Sequence, residues 1–300
     1  MVGRIIEVAS DGVHLSTERG FLKLSLQGDE LGKVAFDQIE ALIAHGHGVT
    51  FSSNLISRLS DHGIPLITCG ANHAPIAITW PIGGHYAQGF RMEAQASASL
   101  PLKKRIWKDL IKAKINNQAL VLNQFDLQSA RLIKLGSEVR TGDETNCEAL
   151  AAQYYWPQLM GPDFKRDRSE PGINQLLNYG YMVLRAATAR SIVAAGLHPS
   201  LSVHHQSRGN PLRLSDDLME PFRPFVDWIV KECVDAKETE LNKETKAKLA
   251  SLPRIDLKRR GCVSPLQICL DSAASTLAQI YLKECQTLDL PLGLHQEAAE

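Results

Sequence analysis

The segment Leu214-Ser215-Asp216-Asp217-Leu218-Met219-Glu220-Pro221-Phe222-Arg223-Pro224 gathers acids in a pattern that chemistry can use. On a helix, Asp217 and Glu220 at i and i+3 stack two carboxylates on one face, which is repulsive unless a cation or a proton lies between them. Ser215 is a good N-cap and the acids suit the positive helix end, so a charged helix start on the surface is the plainer reading. Pro221 and Pro224 add a constraint: an interior helical proline costs roughly 3 kcal/mol, so the helix must bend here or the prolines must fall in a first turn.

Two further segments offer ligands. Val203-His204-His205-Gln206 follows the break Gly196-Leu197-His198-Pro199 and precedes Arg208, Gly209, Asn210 and Arg213. Adjacent histidines on an extended chain point opposite ways, so one can be a ligand while the other is structural. Glu148 lies in Asn146-Cys147-Glu148-Ala149-Leu150-Ala151-Ala152, a predicted helix whose small residues let a neighbour approach. Together these segments supply two or three carboxylates and a neutral imidazole. Hard divalent ions such as Mg²⁺ and Mn²⁺ favour oxygen ligands, Mn²⁺ tolerates a histidine better, and both leave positions open for phosphate and water. Nothing points to zinc: the six cysteines form no CxxC pair and read as thiols in apolar patterns. No serine or cysteine triad signature and no glycine-rich phosphate loop is present.

The elements that must position these groups change character along the chain. Short alternating or apolar runs punctuated by Gly, Asp, Asn and Ser predict strands at Arg4 to Ala9, Val13 to Ser16, Phe21 to Leu26, Lys33 to Ala35, Ala41 to Ala44, Val49 to Phe51, Pro65 to Cys69 and Ile76 to Trp80. One helix, Asn54 to His62, is capped by Ser52 or Ser53 and stopped by Gly63. Trp80-Pro81-Ile82-Gly83-Gly84-His85 punctuates the halves. Beyond it the period becomes 3.6, with helices predicted at Pro101 to Asn123, Cys147 to Leu159, Ile173 to Ala195 with Gly196 as the stop, Asp216 to Val234, Lys237 to Ala250, and Pro265 to Thr287. The expected fold class is α+β: a β-rich domain with one helix over residues 1–85, a linker over 86–100, and a larger all-α domain over 101–300.

Length and composition agree with two domains, each able to bury a core, since the chain has 300 residues, 44% hydrophobic and 22% charged. The longest apolar runs fall far short of a bilayer span, and the N-terminus reads as a strand without an apolar signal region, so a cytoplasmic location is expected. Thirty-three basic residues balance thirty-three acidic ones. The distribution is uneven. Residues 1–90 carry five Lys/Arg and eight Asp/Glu, whereas residues 101–115 carry Lys103, Lys104, Arg105, Lys108, Lys112 and Lys114 against Asp109 alone. Lys104, Lys108 and Lys112 recur at i+4 and make a basic stripe that suits a phosphate backbone or, more plainly, a solvated helix face. Trp107, Leu110, Ile111 and Ile115 supply the apolar face of the same helix.

The sequence resembles the CRISPR adaptation integrases, most closely the type II version, over nearly its whole length. Three pieces carry the resemblance in the family's order: Leu177-Asn178-Tyr179-Gly180-Tyr181, the loop ending in His205, and Asp217 to Pro224. The resemblance implies a catalytic metal site of Glu148, His205 and Glu220, with Asp217 as a further carboxylate at the metal and Mg²⁺ or Mn²⁺ as the ion. Ser202 stands where the family usually has glycine, a departure that leaves His204 as the alternative to His205. The implied reaction is attack by the 3'-hydroxyl of a captured DNA fragment on a phosphodiester at the end of a CRISPR repeat. The implied partners are double-stranded DNA, a second copy of the chain, and a small ferredoxin-like protein completing a hetero-hexamer. Basic candidates for the DNA path are Lys104, Lys108, Lys112, Arg166, Arg168, Arg208, Arg213, Arg259 and Arg260. Two other readings stay open: a metal-dependent nuclease of branched DNA, in which water replaces the 3'-hydroxyl, and a non-catalytic DNA-binding scaffold.

Overall fold

The structure is a computed structural model that describes residues 4–70, 75–79 and 85–295. Alternation folds the first part into β1 (Arg4–Val8), β2 (His14–Glu18), β3 (Phe21–Leu26), β4 (Asp29–Ala35), β5 (Ile39–Ala44), β6 (Thr50–Phe51), helix α1 (Ser53–Asp61), β7 (Leu66–Cys69) and β8 (Pro75–Ile78). Each predicted strand has a counterpart, with ends moved by up to a few residues. The break read at Trp80 to Gly84 lies outside the described residues.

The strands make two sheets. One has the order β1-β5-β7-β8 and is parallel except for β8; the other has the order β4-β3-β2-β6 and is antiparallel except for the β2–β6 pair. β5 shows why they layer as they do. Leu42 and Ala44 join Leu15, Leu22, Leu55 and Leu59 in a core inside the β domain, while Ala41 and Ile43 join Ile5 and Ile67 against the helices. Successive side chains leave a strand on opposite faces, so one apolar run feeds two cores.

The rest of the chain is helical: α2 (Gln88–Ala96), α3 (Leu100–Gln124), α4 (Ala130–Glu138), α5 (Cys147–Met160), α6 (Ile173–Ala194), α7 (Arg213–Leu218), α8 (Arg223–Asp235), α9 (Lys243–Ala250) and α10 (Leu266–Tyr281). A hairpin of β9 (Asp256–Arg259) and β10 (Cys262–Pro265) lies between α9 and α10. The fold class is α+β, with strands first and a mostly helical region after; the hairpin is the one strand pair that the 3.6-residue reading of the second half did not mark. Among the described residues, no helix is long and apolar enough to cross a membrane.

Three expectations about the helices are corrected. The linker expected at 86–100 contains α2, which is stitched to the loop ahead of the histidines: Gln95 Nε2 donates to the carbonyls of His198 (2.9 Å) and Leu201 (2.8 Å), and its Oε1 accepts from the amide of His198 (2.8 Å). No side chain caps α2, which is why local sequence gave no start signal. The single helix expected from Asp216 to Val234 is instead α7, a 3-10 turn at Glu220–Phe222, and α8. Pro221 and Pro224 each fall in a first turn, where a missing N–H leaves no bond unmade. The helix expected from Lys237 starts at Lys243, because Lys237 takes a positive φ of 62° and Asn242 and Thr245 form a capping box.

α6 is buried on most sides, and Gly180 explains how its neighbours come so close. A Cβ added there would meet Val226 Cγ1 of α8 at 2.4 Å and Leu249 Cδ2 of α9 at 3.0 Å. The second position in Tyr179-Gly180-Tyr181 is therefore a packing requirement, and it fixes how α8 lies on α6. Gly180→Ala is expected to lower stability by about 1–3 kcal/mol through overpacking. Denaturant midpoints check this, and Val226→Ala added to Gly180→Ala should restore part of the loss; an unchanged midpoint for Gly180→Ala would contradict the close approach.

Candidate metal centre

Glu148 stands in the first turn of α5. Asn146 ahead of it takes a left-handed φ of 55°, and the start of the helix is capped by Asp143, whose carboxylate accepts from the amides of Cys147 (2.8 Å) and Glu148 (3.0 Å). That cap fixes the first turn. Glu220 stands at the opposite side of the site, at the start of the 3-10 turn that the two prolines force between α7 and α8.

The two glutamates meet around Lys114 of α3. Its Nζ lies 2.6 Å from Glu148 Oε1 and 2.6 Å from Glu220 Oε2, while Arg223 Nε lies 2.9 Å from Glu220 Oε1. The Glu148 contact is a hydrogen bond. The contacts to Glu220 are close in distance but lack hydrogen-bond alignment, so Glu220 Oε2 and Arg223 Nε stay buried without an aligned partner. Burial disfavours the charged form of Glu220, yet Arg223 and Lys114 outweigh it and hold the carboxyl below its usual range. For Lys114 burial again opposes charge, and Glu220 and Glu148 overcome it and hold the ammonium's pKa above its usual value.

Asp217 does something else. Its side chain is fully buried, and its two oxygens accept from the backbone amides of Val203 (2.6 Å), His204 (3.0 Å) and His205 (3.1 Å) and from His205 Nδ1 (2.6 Å). This corrects the expectation that Asp217 is itself a metal ligand and that it shares a cation with Glu220. With four donors converging on it, neither oxygen is left for an ion, whereas Glu220 meets Lys114 and Arg223. Asp217 folds the histidine loop and aims the His205 ring.

The same loop gives the two histidines different surroundings. His204 stacks flat on Trp107 of α3, with ring centroids 4.1 Å apart and an interplanar angle of 7°. His205 meets Trp107 only by its edge, at 5.8 Å and 86°, and lines the same cleft as Lys114 and Arg223. Ser202, at the family's glycine position, closes the loop by donating to the carbonyl of His205 at 2.5 Å. The hydrogen bond that His205 Nδ1 donates to Asp217 raises the pKa of His205, burial pulls it down, and the charges of Asp217 and Glu220 raise it further.

The cleft has a volume of about 1150 Å³ and is lined by cations from several elements: Lys114, Arg166, Arg168, Arg185, Arg223 and Lys246. Arg166 donates to Asn174 (2.8 Å) and Asn178 (2.6 Å), and Arg185 pairs with Asp216 at 2.7 Å. Arg223 lies over the Tyr181 ring at 4.8 Å; the Tyr181 hydroxyl donates to Asp227, as does that of Tyr155 at 3.1 Å, and burial pushes the Asp227 carboxyl up to about 7. One wall reaches into the β domain. Glu7 of β1 accepts from Tyr179 of α6, from His45 just after β5 and, at 3.1 Å, from Lys246 of α9. Burial raises the Glu7 pKa, and these donors more than offset it.

The other basic candidates fall into different places. Lys104 contacts Glu144 at 3.3 Å, and neither it nor Lys108 or Lys112 lines the cleft. Arg208 is exposed between the cleft-lining Ser207 and Gly209. Arg213 donates to the carbonyl of Ser200 at 2.7 Å, Arg259 is held by Asp289 and Ser272, and Arg260 is exposed at the tip of the hairpin. Lys114, Arg185, Arg223 and Lys246 were not among the candidates. Lys114 carried a signal: it follows Leu110 by four residues and Ile111 by three, which puts a lysine on the apolar face of α3. Arg223 likewise follows Glu220 by three.

The residues 6–252 match the family model described as CRISPR associated protein Cas1. The chain belongs to the Cas1 family. It is 37% identical over 222 residues to a CRISPR-associated endonuclease Cas1 of Neisseria meningitidis serogroup C, covering 73% of this chain and 72% of that one. Among solved structures it is similar to a casposase bound to integration product, with a TM-score of 0.78, 19% identity, and 95% and 92% of the two chains covered. It is also similar to a chain of a Cas6-RT-Cas1–Cas2 complex, with a TM-score of 0.72 and 18% identity over 94% of this chain and 35% of that longer one. These likenesses establish the Cas1 fold.

A divalent ion suits the residues present. Glu220 Oε2 is a buried carboxylate oxygen without an aligned donor, Glu148 faces it, and with Nδ1 of His205 committed to Asp217 its Nε2 is the nitrogen left to coordinate. Among the described residues no three His, Cys, Asp or Glu side chains are already gathered as a metal cluster; the two glutamates close on Lys114 instead.

The pairing with Asp217 makes His205 a pH-sensitive part of the loop. Its folded pKa is raised, so the stability it contributes is complete below the unfolded value of about 6.5 and is lost as pH rises through the folded value. An NMR titration in EDTA should therefore place the His205 midpoint above that of a free histidine, and Asp217→Asn should bring it down. Equal midpoints in the two proteins would rule out the pairing.

Proposed function

We propose that this Cas1-family chain is a divalent-metal-dependent DNA integrase and endonuclease of CRISPR adaptation, joining captured fragments to repeat ends by 3'-hydroxyl attack. The observation that carries this reading is the convergence of Glu148 and Glu220 on one cation position, held by Lys114 at 2.6 Å from each, with Lys114 and His205 lining one cleft together with several arginines.

Glu148 and Glu220 would hold Mg²⁺ or Mn²⁺, with His205 completing the set. When bound, the ion supplies charge neutralisation at the phosphoryl oxygens and a lowered pKa for the attacking hydroxyl. The remaining work belongs to the chain. Arg166, Arg168, Arg185 and Lys246 line the walls with positive charge that draws the phosphate backbone into the cleft, and their spread across the loop ahead of α6, α6 itself and α9 favours a long ligand over a small one. Arg223, packed against Tyr181 and Glu220, cannot swing away, and so holds a fixed positive field beside the reacting phosphate. Asp217 keeps one nitrogen of His205 occupied, which leaves the other directed to the ion or the phosphate. Attack forms the new O3'–P bond as the bond from phosphorus to the repeat strand's own oxygen breaks, so no covalent enzyme intermediate is needed.

We further propose a homodimer that works with a small ferredoxin-like partner. Support comes from the likeness to a chain within a Cas1–Cas2 assembly and from the acidic balance of the first ninety residues, which suits protein contacts better than DNA.

The test is strand transfer of a labelled fragment into a repeat-containing plasmid, with the partner protein present and Mg²⁺ or Mn²⁺ supplied. Glu148→Ala and Glu220→Ala should each lower joining by about a hundredfold or more while binding of the fragment persists, and EDTA should abolish it. Cleavage without joining would favour the branched-DNA nuclease, and unchanged activity in both variants would favour a scaffold.

A further inference from the structure

Lys114 occupies an unusual place for a lysine. Only 13% of its side chain is exposed, and it rises from the buried face of α3 among Leu110, Ile111 and Ile115, each of which is fully buried. The helix under it cannot shift without disturbing that core. The four-carbon stem can pivot, because the side chain also borders the open cleft. Its ammonium lies between two carboxylates that would repel each other across the gap, one of them buried.

We propose that Lys114 is a displaceable cation, competing with the divalent ion for Glu148 and Glu220 and turning to the DNA phosphate once the ion has taken them. The proposal rests on the metal reading above and goes beyond it. The ammonium fills the gap between Glu148 Oε1 and Glu220 Oε2, 2.6 Å from each, so an ion seated roughly 2 Å from these same two oxygens takes the place of Nζ and pushes it out. The direction left open is the cleft, whose lining also includes Arg223 and His205. Competition weakens ion binding when no DNA is near and favours it when a phosphate receives the ammonium. The ion and the nucleic acid thus bind with positive coupling.

The experiment titrates Mn²⁺ into the full chain, with and without a short duplex, and reads free Mn²⁺ by electron paramagnetic resonance. In the absence of DNA, Lys114→Met should bind Mn²⁺ about tenfold more tightly than the parent, since the competitor is gone and two carboxylates face each other uncompensated. The parent should tighten several-fold on adding duplex, and Lys114→Met should not. Equal or weaker Mn²⁺ binding by Lys114→Met, or equal tightening by duplex in both proteins, would overturn the proposal. Glu220→Gln separates the two readings: if it leaves Mn²⁺ binding intact the metal site itself is misplaced, whereas if it removes binding the Lys114 result stands by itself. Should Lys114→Met fail to fold, Lys114→Gln keeps a hydrogen-bonding side chain without the charge and must show the same tightening.

Discussion

Like charges have to be brought together for this site to exist, and the bridge of Glu148, Lys114 and Glu220 is how the chain does it. Each of these groups is costly in a core: an unpaired buried carboxylate or ammonium would be driven toward neutrality. Held as a set with Arg223, the buried Glu220 and Lys114 keep their charge. The surrounding architecture follows from that need. α3 must run its full length so that Lys114 arrives from beneath, α5 must begin sharply so that Glu148 is in its first turn, and the chain between α7 and α8 must break so that Glu220 faces both.

The histidine loop is held by a separate anion. Asp217 is not part of the bridge; it collects three successive backbone amides and an imidazole, and so turns an irregular segment into a rigid one. Behind the loop, Gln95 of α2 ties down its approach, and Trp107 takes up His204 on its face. Two neighbouring histidines thus have different fates. One packs its face on Trp107, and the other is held at Nδ1 by Asp217 and lines the cleft.

Much of this was legible in the sequence, and the exceptions have physical causes. The α+β order and the stop at Gly196 follow from backbone rules that act locally, whereas the single helix expected from Asp216 to Val234 divides at Pro221 and Pro224. The special role of Gly180 was visible only as part of a motif, because the reason for it is a side chain on α8, far away in sequence. Lys114 was hidden by the habit of reading lysines as solvated: its position on the apolar face was present in the spacing, but Lys104, Lys108 and Lys112 drew the eye to the other face. Asp217 and Glu220, paired by their spacing in the sequence, make different contacts: Asp217 holds the histidine loop and Glu220 meets Lys114 and Arg223. Their i, i+3 spacing implies a shared face only on a continuous helix, and the prolines that were noticed beside them remove that continuity. α2 lacks a cap and the short hairpin lacks a long alternating run, so neither had a local signal; both are held by distant partners.

The Glu7 cluster gives the molecule a different kind of unity. The wall of the cleft is written in residue 7, residue 45, residue 179 and residue 246, so the groove is not the property of either domain. A hinge between the two halves is the usual liberty of a two-domain protein, yet here any rotation about it would pull Glu7 from Tyr179 and Lys246 and open that wall of the cleft. The β domain is a structural part of the working surface, and its posture and the shape of the groove are one variable.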